Sequence, residues 1–452
     1  MTGDDARECG CSSSRGRGIS PSLGGGLRLG VLVVCAALVT GCGLVRLHED
    51  LGRLESGYLL TGAIANAIDY DSDVWVVVVE RDLDGRVVSA DVGRTGRHGR
   101  FAFMLDSSER HYVVAFADID GDAEYESGEP AWMLSSRSGE LYPVRFLEEQ
   151  RRAMVVGRLS DRVVVPEDLL RAGKAYRADR PIEEVARGWN IPVGVGEVAN
   201  LDEDRFSAER GAAGLWEPVS FPMKSGVGIF FLEPYDPTRI PILFVHGAGG
   251  SPQHWKKIFA ELDRSRFQAW FFLYPTGRRL GEMADWLNRG VTYLHEFYEF
   301  DRMGLIAHSM GGLVSRAFLN ENVVRDGSAY VELFVTISTP WSGHEQARSG
   351  VERSPVVVPA WHDLATGSEF LEELLAPASP SLPPYHLFFS FHGKRSMILP
   401  SSNDGTISVA SQLRREAQRQ AVRVYGFDVD HVEILRDDSV IETLNRILDE
   451  GL

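Results

Sequence analysis

Apolar positions along this chain fall into three regimes. Near the start, Leu29–Val45 is one apolar stretch of 17 residues, behind a Gly/Ser-rich segment carrying Arg15, Arg17 and Arg28. Farther on come short runs rich in β-branched and aromatic residues: Val74–Val79, Phe101–Leu105 and Tyr112–Phe116. Turn signals separate them, Asp84-Gly85 and Gly96–Gly99 among others, so strands at this spacing predict a small β-sandwich over 58–146. From about Pro218 the rhythm changes again. Strand-like runs now alternate with amphipathic helical stretches: Pro241–Val245 then Pro252–Leu262, Phe267–Tyr274 then Leu280–Tyr298, Met303–Ala307 then Gly311–Asn320, and Leu333–Ile337. Continuous apolar strands between amphipathic helices predict a mostly parallel, doubly wound α/β sheet covered on both faces. Residues 147–217 carry charge clusters without a clear period and read as a connecting or accessory region.

A chain of 452 residues accommodates two domains, and 44% hydrophobic with 25% charged residues suits a globular protein with a sizeable core. The formal net charge of -17 excludes a nucleic-acid partner, because the phosphate backbone would be repelled. All four cysteines, Cys9, Cys11, Cys35 and Cys42, precede the globular part, so the body carries neither a disulfide framework nor a cysteine metal cluster.

The early apolar stretch is somewhat shorter than the roughly 20 residues a helix needs to span a bilayer. A basic region, an apolar core and small residues are instead the parts of a secretory signal. Val39-Thr40-Gly41-Cys42 resembles a bacterial lipobox, which implies a signal peptide over 1–41, lipidation of Cys42 and a tether over 42–57. The expected location is the cell envelope, with membrane attachment through the N-terminal lipid and a mild preference for an outer membrane. An uncleaved membrane helix is the alternative.

The chemistry concentrates in Gly304-Leu-Ile-Ala-His-Ser-Met-Gly-Gly312, where a strand runs into Ser309 and a glycine-rich turn opens a helix. A nucleophile on so sharp a turn needs small residues two positions to either side. Ala307 and Gly311 supply them, Ala307 being a departure from the commoner glycine. Upstream, His246-Gly-Ala-Gly-Gly250 ends a strand; backbone amides of Ala248 and Met310 are the candidates for holding a developing oxyanion. Downstream, Asn403-Asp404-Gly405 offers an acid, with Asp363, Asp428 and Asp430 as competitors. His431, in the loop between the last strand (Val422–Phe427) and last helix (Ser439–Leu448), is the base of choice among twelve histidines. His308 belongs to the elbow itself and His246 to the oxyanion loop.

On these motifs, residues 218–452 resemble the lipase and serine esterase branch of the α/β-hydrolase superfamily. Thr339-Pro340-Trp-Ser-Gly343 and Gly367-Ser-Glu-Phe-Leu371 resemble loops of that branch and of inositol-deacylase-like relatives. The resemblance implies a Ser309–His431–Asp404 triad that cleaves acyl or lipid esters without a cofactor. The alternatives are an acyltransferase or thioesterase using the same triad, or a non-catalytic envelope binding lipoprotein. The sandwich resembles transthyretin-like or carboxypeptidase-regulatory-like modules. Residues 345–383 are longer than the fold needs and read equally as a mobile lid or as packed helices. One acidic loop remains: Asp118, Asp120, Asp122, Glu124 and Glu129 fall at oxygen-ligand spacing for Ca²⁺. Ala123 stands where an EF-hand has glycine, so a solvated acidic hairpin is preferred over a structural Ca²⁺ site, and no catalytic metal is expected.

Overall fold

A computed structural model of the chain describes residues 43–53, 57–96, 98–136, 139–147, 151–166, 169, 193–376, 379–393, 400 and 402–452. Residues 1–42, which the sequence reads as a signal peptide ending at a lipidated Cys42, lie outside the described residues.

The larger sheet has eight strands: β8 (Val193–Val198), β9 (Val227–Phe231), β10 (Ile240–Val245), β11 (Phe267–Leu273), β12 (Met303–His308), β13 (Val331–Ile337), β14 (Tyr385–Ser390) and β15 (Arg423–Phe427). Their spatial order is β15-β14-β13-β12-β10-β11-β9-β8. All neighbours are parallel except β9, which runs antiparallel to β11. The strand sequences are apolar at nearly every position because each face packs on helices. On β10, Leu243 and Val245 enter one core with the helices Leu280–Tyr298 and Met310–Leu319, whereas Ile242 and Phe244 enter the other with the helix Asp438–Gly451. The helix Leu280–Tyr298 buries Leu280, Met283, Ala284, Leu287, Val291 and Leu294, one stripe at three-to-four spacing. After β10 the chain winds first toward β11 and then back to β12 on the other side. The order reverses there, and in open α/β sheets ligands bind outside the carboxyl ends of the strands at such a switch point.

The first seven strands form two smaller sheets. β1 (Tyr58–Ile64), β4 (Arg100–Leu105) and β7 (Arg152–Gly157) make one, in the order β4-β1-β7. β2 (Asp73–Arg81), β3 (Val87–Arg94), β5 (Arg110–Asp118) and β6 (Ala131–Met133) make the other, in the order β3-β2-β5-β6. Leu60, Phe103 and Val155 from one meet Val76, Val78 and Val113 from the other in a shared core. The second face of β2 is buried too, with Trp75, Val77 and Val79 packed among Phe116, Tyr125 and Val165. Burial on both faces explains why β2 is an unbroken apolar run rather than an alternating one.

The stretch read as a connector is more structured than its composition suggests. It supplies β7, which pairs in parallel with β1, the edge strand β8, and the helix Ala208–Trp216. Their signals are weak for physical reasons. β7 alternates because only one face is covered, and β8 contains Gly194 and Gly196 where Phe230 and Leu294 press against the backbone.

Candidate active site

β12 ends at His308, and Ser309 follows with φ 53° and ψ −131° before the helix Met310–Leu319 begins. A non-glycine residue pays for this left-handed geometry, and such strain concentrates at functional positions. The surroundings hold it there. The Ser309 amide donates to the Ile337 carbonyl at 2.8 Å, and the Ser309 carbonyl accepts from Thr339 Oγ1 at 3.1 Å. A Cβ on Gly311 would lie 2.4 Å from the Val245 carbonyl oxygen and 2.5 Å from that of His246, so the turn admits only glycine there. Ala307, fully buried between β10 and β13, fits its place in the strand.

His431 arrives from the loop after β15, and its Nε2 stands 2.9 Å from Ser309 Oγ. Its Nδ1 is 2.7 Å from Asp404 Oδ2; a carboxylate accepts, so Nδ1 carries the proton and Nε2 offers its lone pair to the serine hydroxyl. Asp404 is completely buried. Burial alone would push its carboxyl up, but the His431 contact and further hydrogen bonds outweigh that and hold it below the usual carboxylate range. Those further donors are the amides of Thr406 and Ile407 at 3.0 and 2.7 Å, Ser390 Oγ at 2.7 Å and Gln412 Nε2 at 2.9 Å. Ser390 and Gln412 carry no motif. The one sequence signal for Ser390 is its position at the end of a strand next to the acid loop.

The loop after β10 lies directly against Ser309: a Cβ on Gly247 would be 2.6 Å from Ser309 Cβ. Ala248 is exposed between Gly247 and Gly249, and the Gly249 amide is tied to Thr276 Oγ1 at 3.0 Å. Met310 is the first residue of its helix, and the amide of such a residue has no acceptor within the helix. The helix Ala208–Trp216 backs the same loop, with Gly211 in close approach to Gly250. His246 faces inward: burial holds its imidazole down at about 4, and its ring stacks on Tyr274, whose hydroxyl donates to the His246 carbonyl at 2.6 Å.

The competing acids are engaged elsewhere. Asp363 pairs with Arg279 at 2.7 Å and accepts from the Leu280 amide, Asp428 sits beside His392 at the surface, and Asp430 accepts from the Val432 and Glu433 amides. His344 Nε2 donates to the Thr406 carbonyl at 3.1 Å, under the acid loop, and does not reach Ser309. Residues 345–383 contain the helices Glu345–Arg353, Pro359–Leu364 and Glu369–Leu374. Val358, Ala360, Leu371 and Leu374 are buried with the main core, and Trp361 meets Trp216 edge to face at 5.9 Å.

In the acidic loop, oxygens of Asp118, Asp120 and Glu129 lie within 4.8 Å of one another, as do those of Asp120, Asp122 and Glu126; Glu124 joins neither group. Asp118 accepts from the Gly121 and Ala123 amides and from Trp75 Nε1, and Glu129 from the Ile119 and Glu126 amides. These carboxylates shape the loop as backbone acceptors, and Ala123 takes φ 59° at its bend.

The mixed sheet, the strained serine at the end of β12, and the histidine loop after β15 define an α/β-hydrolase fold. Residues 236–351 match the family described as PGAP1-like alpha/beta domain, a segment that runs from β10 through the Ser309 turn to the first helix after β13 and stops short of Asp404 and His431. Among solved structures, the mature lipase BlEst2 of Bacillus licheniformis overlays with a TM-score of 0.39 at 19% identity, covering 49% of this chain and 97% of that one. Aspergillus fumigatus lipase B overlays at 0.38 with 13% identity, covering 50% and 56% of the two chains. A Listeria innocua gene product gives 0.35 and 14%, covering 47% and 94%. No curated protein matches the chain.

Proposed function

We propose that this protein is a serine carboxylic ester hydrolase acting on acyl or lipid esters from a lipid-anchored position in the cell envelope. The observation that carries the reading is the unbroken chain Ser309 Oγ–His431 Nε2 at 2.9 Å and His431 Nδ1–Asp404 Oδ2 at 2.7 Å, mounted on a strained turn. Ser309 Oγ attacks the ester carbonyl while His431 takes its proton, and the amides of Ala248 and Met310 receive the oxyanion. His431 returns the proton to the departing alcohol, leaving an acyl group on Ser309. Water, deprotonated by the same imidazole, then releases the acid and restores the serine. Asp404 holds the imidazole in the Nδ1–H tautomer and balances its charge while it is protonated. Envelope attachment rests on the lipobox-like Val39–Cys42, which places an acyl-carrying surface within the enzyme's reach.

One labelling experiment addresses both parts. A fluorescent fluorophosphonate should label the purified protein, Ser309→Ala should abolish labelling, and a series of p-nitrophenyl esters should reveal the preferred chain length. In fractionated cells the label should stay with membranes and move to the soluble fraction in Cys42→Ser. A folded wild type that neither labels nor cleaves esters, even in detergent, would sink the enzymatic reading in favour of a binding lipoprotein. Cys42→Ser remaining in the membrane fraction would sink the anchor.

A further inference from the structure

His308, the residue immediately before the nucleophile, closes β12 and is buried, with 7% of its surface exposed. An apolar residue would cost less in such a place, since an imidazole removed from water has to find partners. Its partner is specific: Nε2 lies 2.8 Å from the backbone carbonyl oxygen of His431. A carbonyl only accepts, so His308 carries its proton on Nε2 and donates it to the backbone of the base. The two ring centroids are 4.9 Å apart, and the Trp255 ring stands perpendicular to that of His308 at 6.4 Å.

From the geometry we propose that His308 is a positioning residue that locks His431 onto Ser309. It rests on Ser309 and His431 being the nucleophile and base. The His431 amide donates to the Asp404 carbonyl at 2.9 Å, and the His431 carbonyl accepts from His308. With the peptide units on both sides of its Cα held, the direction of its Cα–Cβ bond is set, and the imidazole needs only the Asp404 contact to aim Nε2 at Oγ. One of these two clamps comes from the residue adjacent in sequence to the nucleophile. Ser309 and His431 are therefore fixed to each other by a single residue, rather than only through the sheet.

The clamp also has to avoid opposing the charge that forms on His431 when it accepts the serine proton. Burial, with His431 adding to it, holds His308 down at about 3, so it stays neutral and keeps its Nε2–H wherever a histidine base could function. A cation at that position would disfavour the imidazolium; a neutral donor aimed at the carbonyl does not.

His308→Leu retains the packing and removes the donor, whereas His308→Gln places an amide N–H near the former Nε2. The expected result for His308→Leu is kcat lower by about 10–100-fold, with KM within about twofold and fluorophosphonate labelling of Ser309 slowed by the same factor, since small misplacements of a base cost that much. His308→Gln should recover most of the loss. A residue that merely fills space would give the opposite order, with Leu active and Gln impaired, and that order would overturn the proposal. Melting temperatures of both variants separate misplacement from unfolding: equal losses of rate and of folded protein in the two would also overturn it. A wild type that is inert toward esters and fluorophosphonate defeats the underlying assignment of Ser309 and His431. An active wild type with an equally fast His308→Leu defeats the positioning role alone.

Discussion

Asp404 is a buried carboxylate that accepts from five donors: His431 Nδ1, Ser390 Oγ, Gln412 Nε2 and the amides of Thr406 and Ile407. Its folded value lies below the ordinary carboxylate range, because those bonds outweigh the burial that opposes them. A depressed folded value stabilises the protein above the unfolded value of about 4, and that contribution disappears as the pH falls through the lower folded value. The melting temperature of the wild type should therefore drop on acidification below about pH 4 more steeply than that of Asp404→Asn. The same substitution should cut ester turnover by about 10³–10⁴-fold, as losing the correct histidine tautomer does in other triads. Parallel melting curves and unchanged turnover would remove Asp404 from its role. Motif and chain order single out Ser309, Asp404 and His431, which the fold brings into hydrogen-bond contact. Ser390 and Gln412 have no such signal, since a serine ending a strand and a glutamine in a short helix resemble many others.

Among elements, the helix Ala208–Trp216 matters most to the site for the least sequence signal. It lies in a stretch that reads as a connector, yet Gly211 packs on the loop after β10 so closely that a Cβ there would be 2.4 Å from the Gly250 carbonyl oxygen and 3.0 Å from Ser251 Cβ. Alanine inside a helix is ordinarily favoured over glycine by about 1 kcal/mol. Here the clash should reverse the sign, so that Gly211→Ala destabilises by about 1–3 kcal/mol, as overpacking does. The displaced loop should also slow labelling of Ser309. A raised melting temperature with undiminished labelling would show that the helix does not hold the loop. The same helix meets the segment 345–383 through Trp216 and Trp361, and Arg279 pairs with Asp363 beneath it.

Within the unit Arg46–Leu452, the parts are joined by buried polar contacts as well as by apolar ones. Residues 43–53 are helical, where a polar tether was expected. Leu47 is wholly buried in the core beside Phe231 and Trp270. Asp50 accepts from the Val219 and Ser220 amides at 2.6 and 3.0 Å and from the Ser220 hydroxyl. Asp50→Ala leaves those donors buried without an acceptor and should cost about 1–3 kcal/mol. Thermal melts would check this, and a shift of less than about a degree would mean the helix does not bear on stability. The sandwich meets the hydrolase part where Ala102 and Met104 of β4 enter its second core. Arg100 also lies over the Tyr293 ring at 4.2 Å, and His98 packs against Phe297 at 4.7 Å.

Whatever depends on local pattern is legible in the order of the amino acids. Apolar strands alternating with amphipathic helices predict a sheet covered on both faces, and the small residues Ala307 and Gly311 on either side of Ser309 predict a sharp turn. A histidine after the last strand stood out because chain order limits where a base can come from. Tertiary structure alone decided what depends on residues far apart in the chain meeting. The amphipathic signal vanishes where an element is short, glycine-rich or half exposed, which hides β7, β8 and the helix Ala208–Trp216. Polar residues such as His308, Ser390, Gln412 and Asp50 also have no period or spacing to betray them. Their roles come from hydrogen bonds across 123, 14, 8 and 169 positions of sequence, between His308 and His431, Ser390 and Asp404, Gln412 and Asp404, and Asp50 and Val219, and only folding brings those partners together.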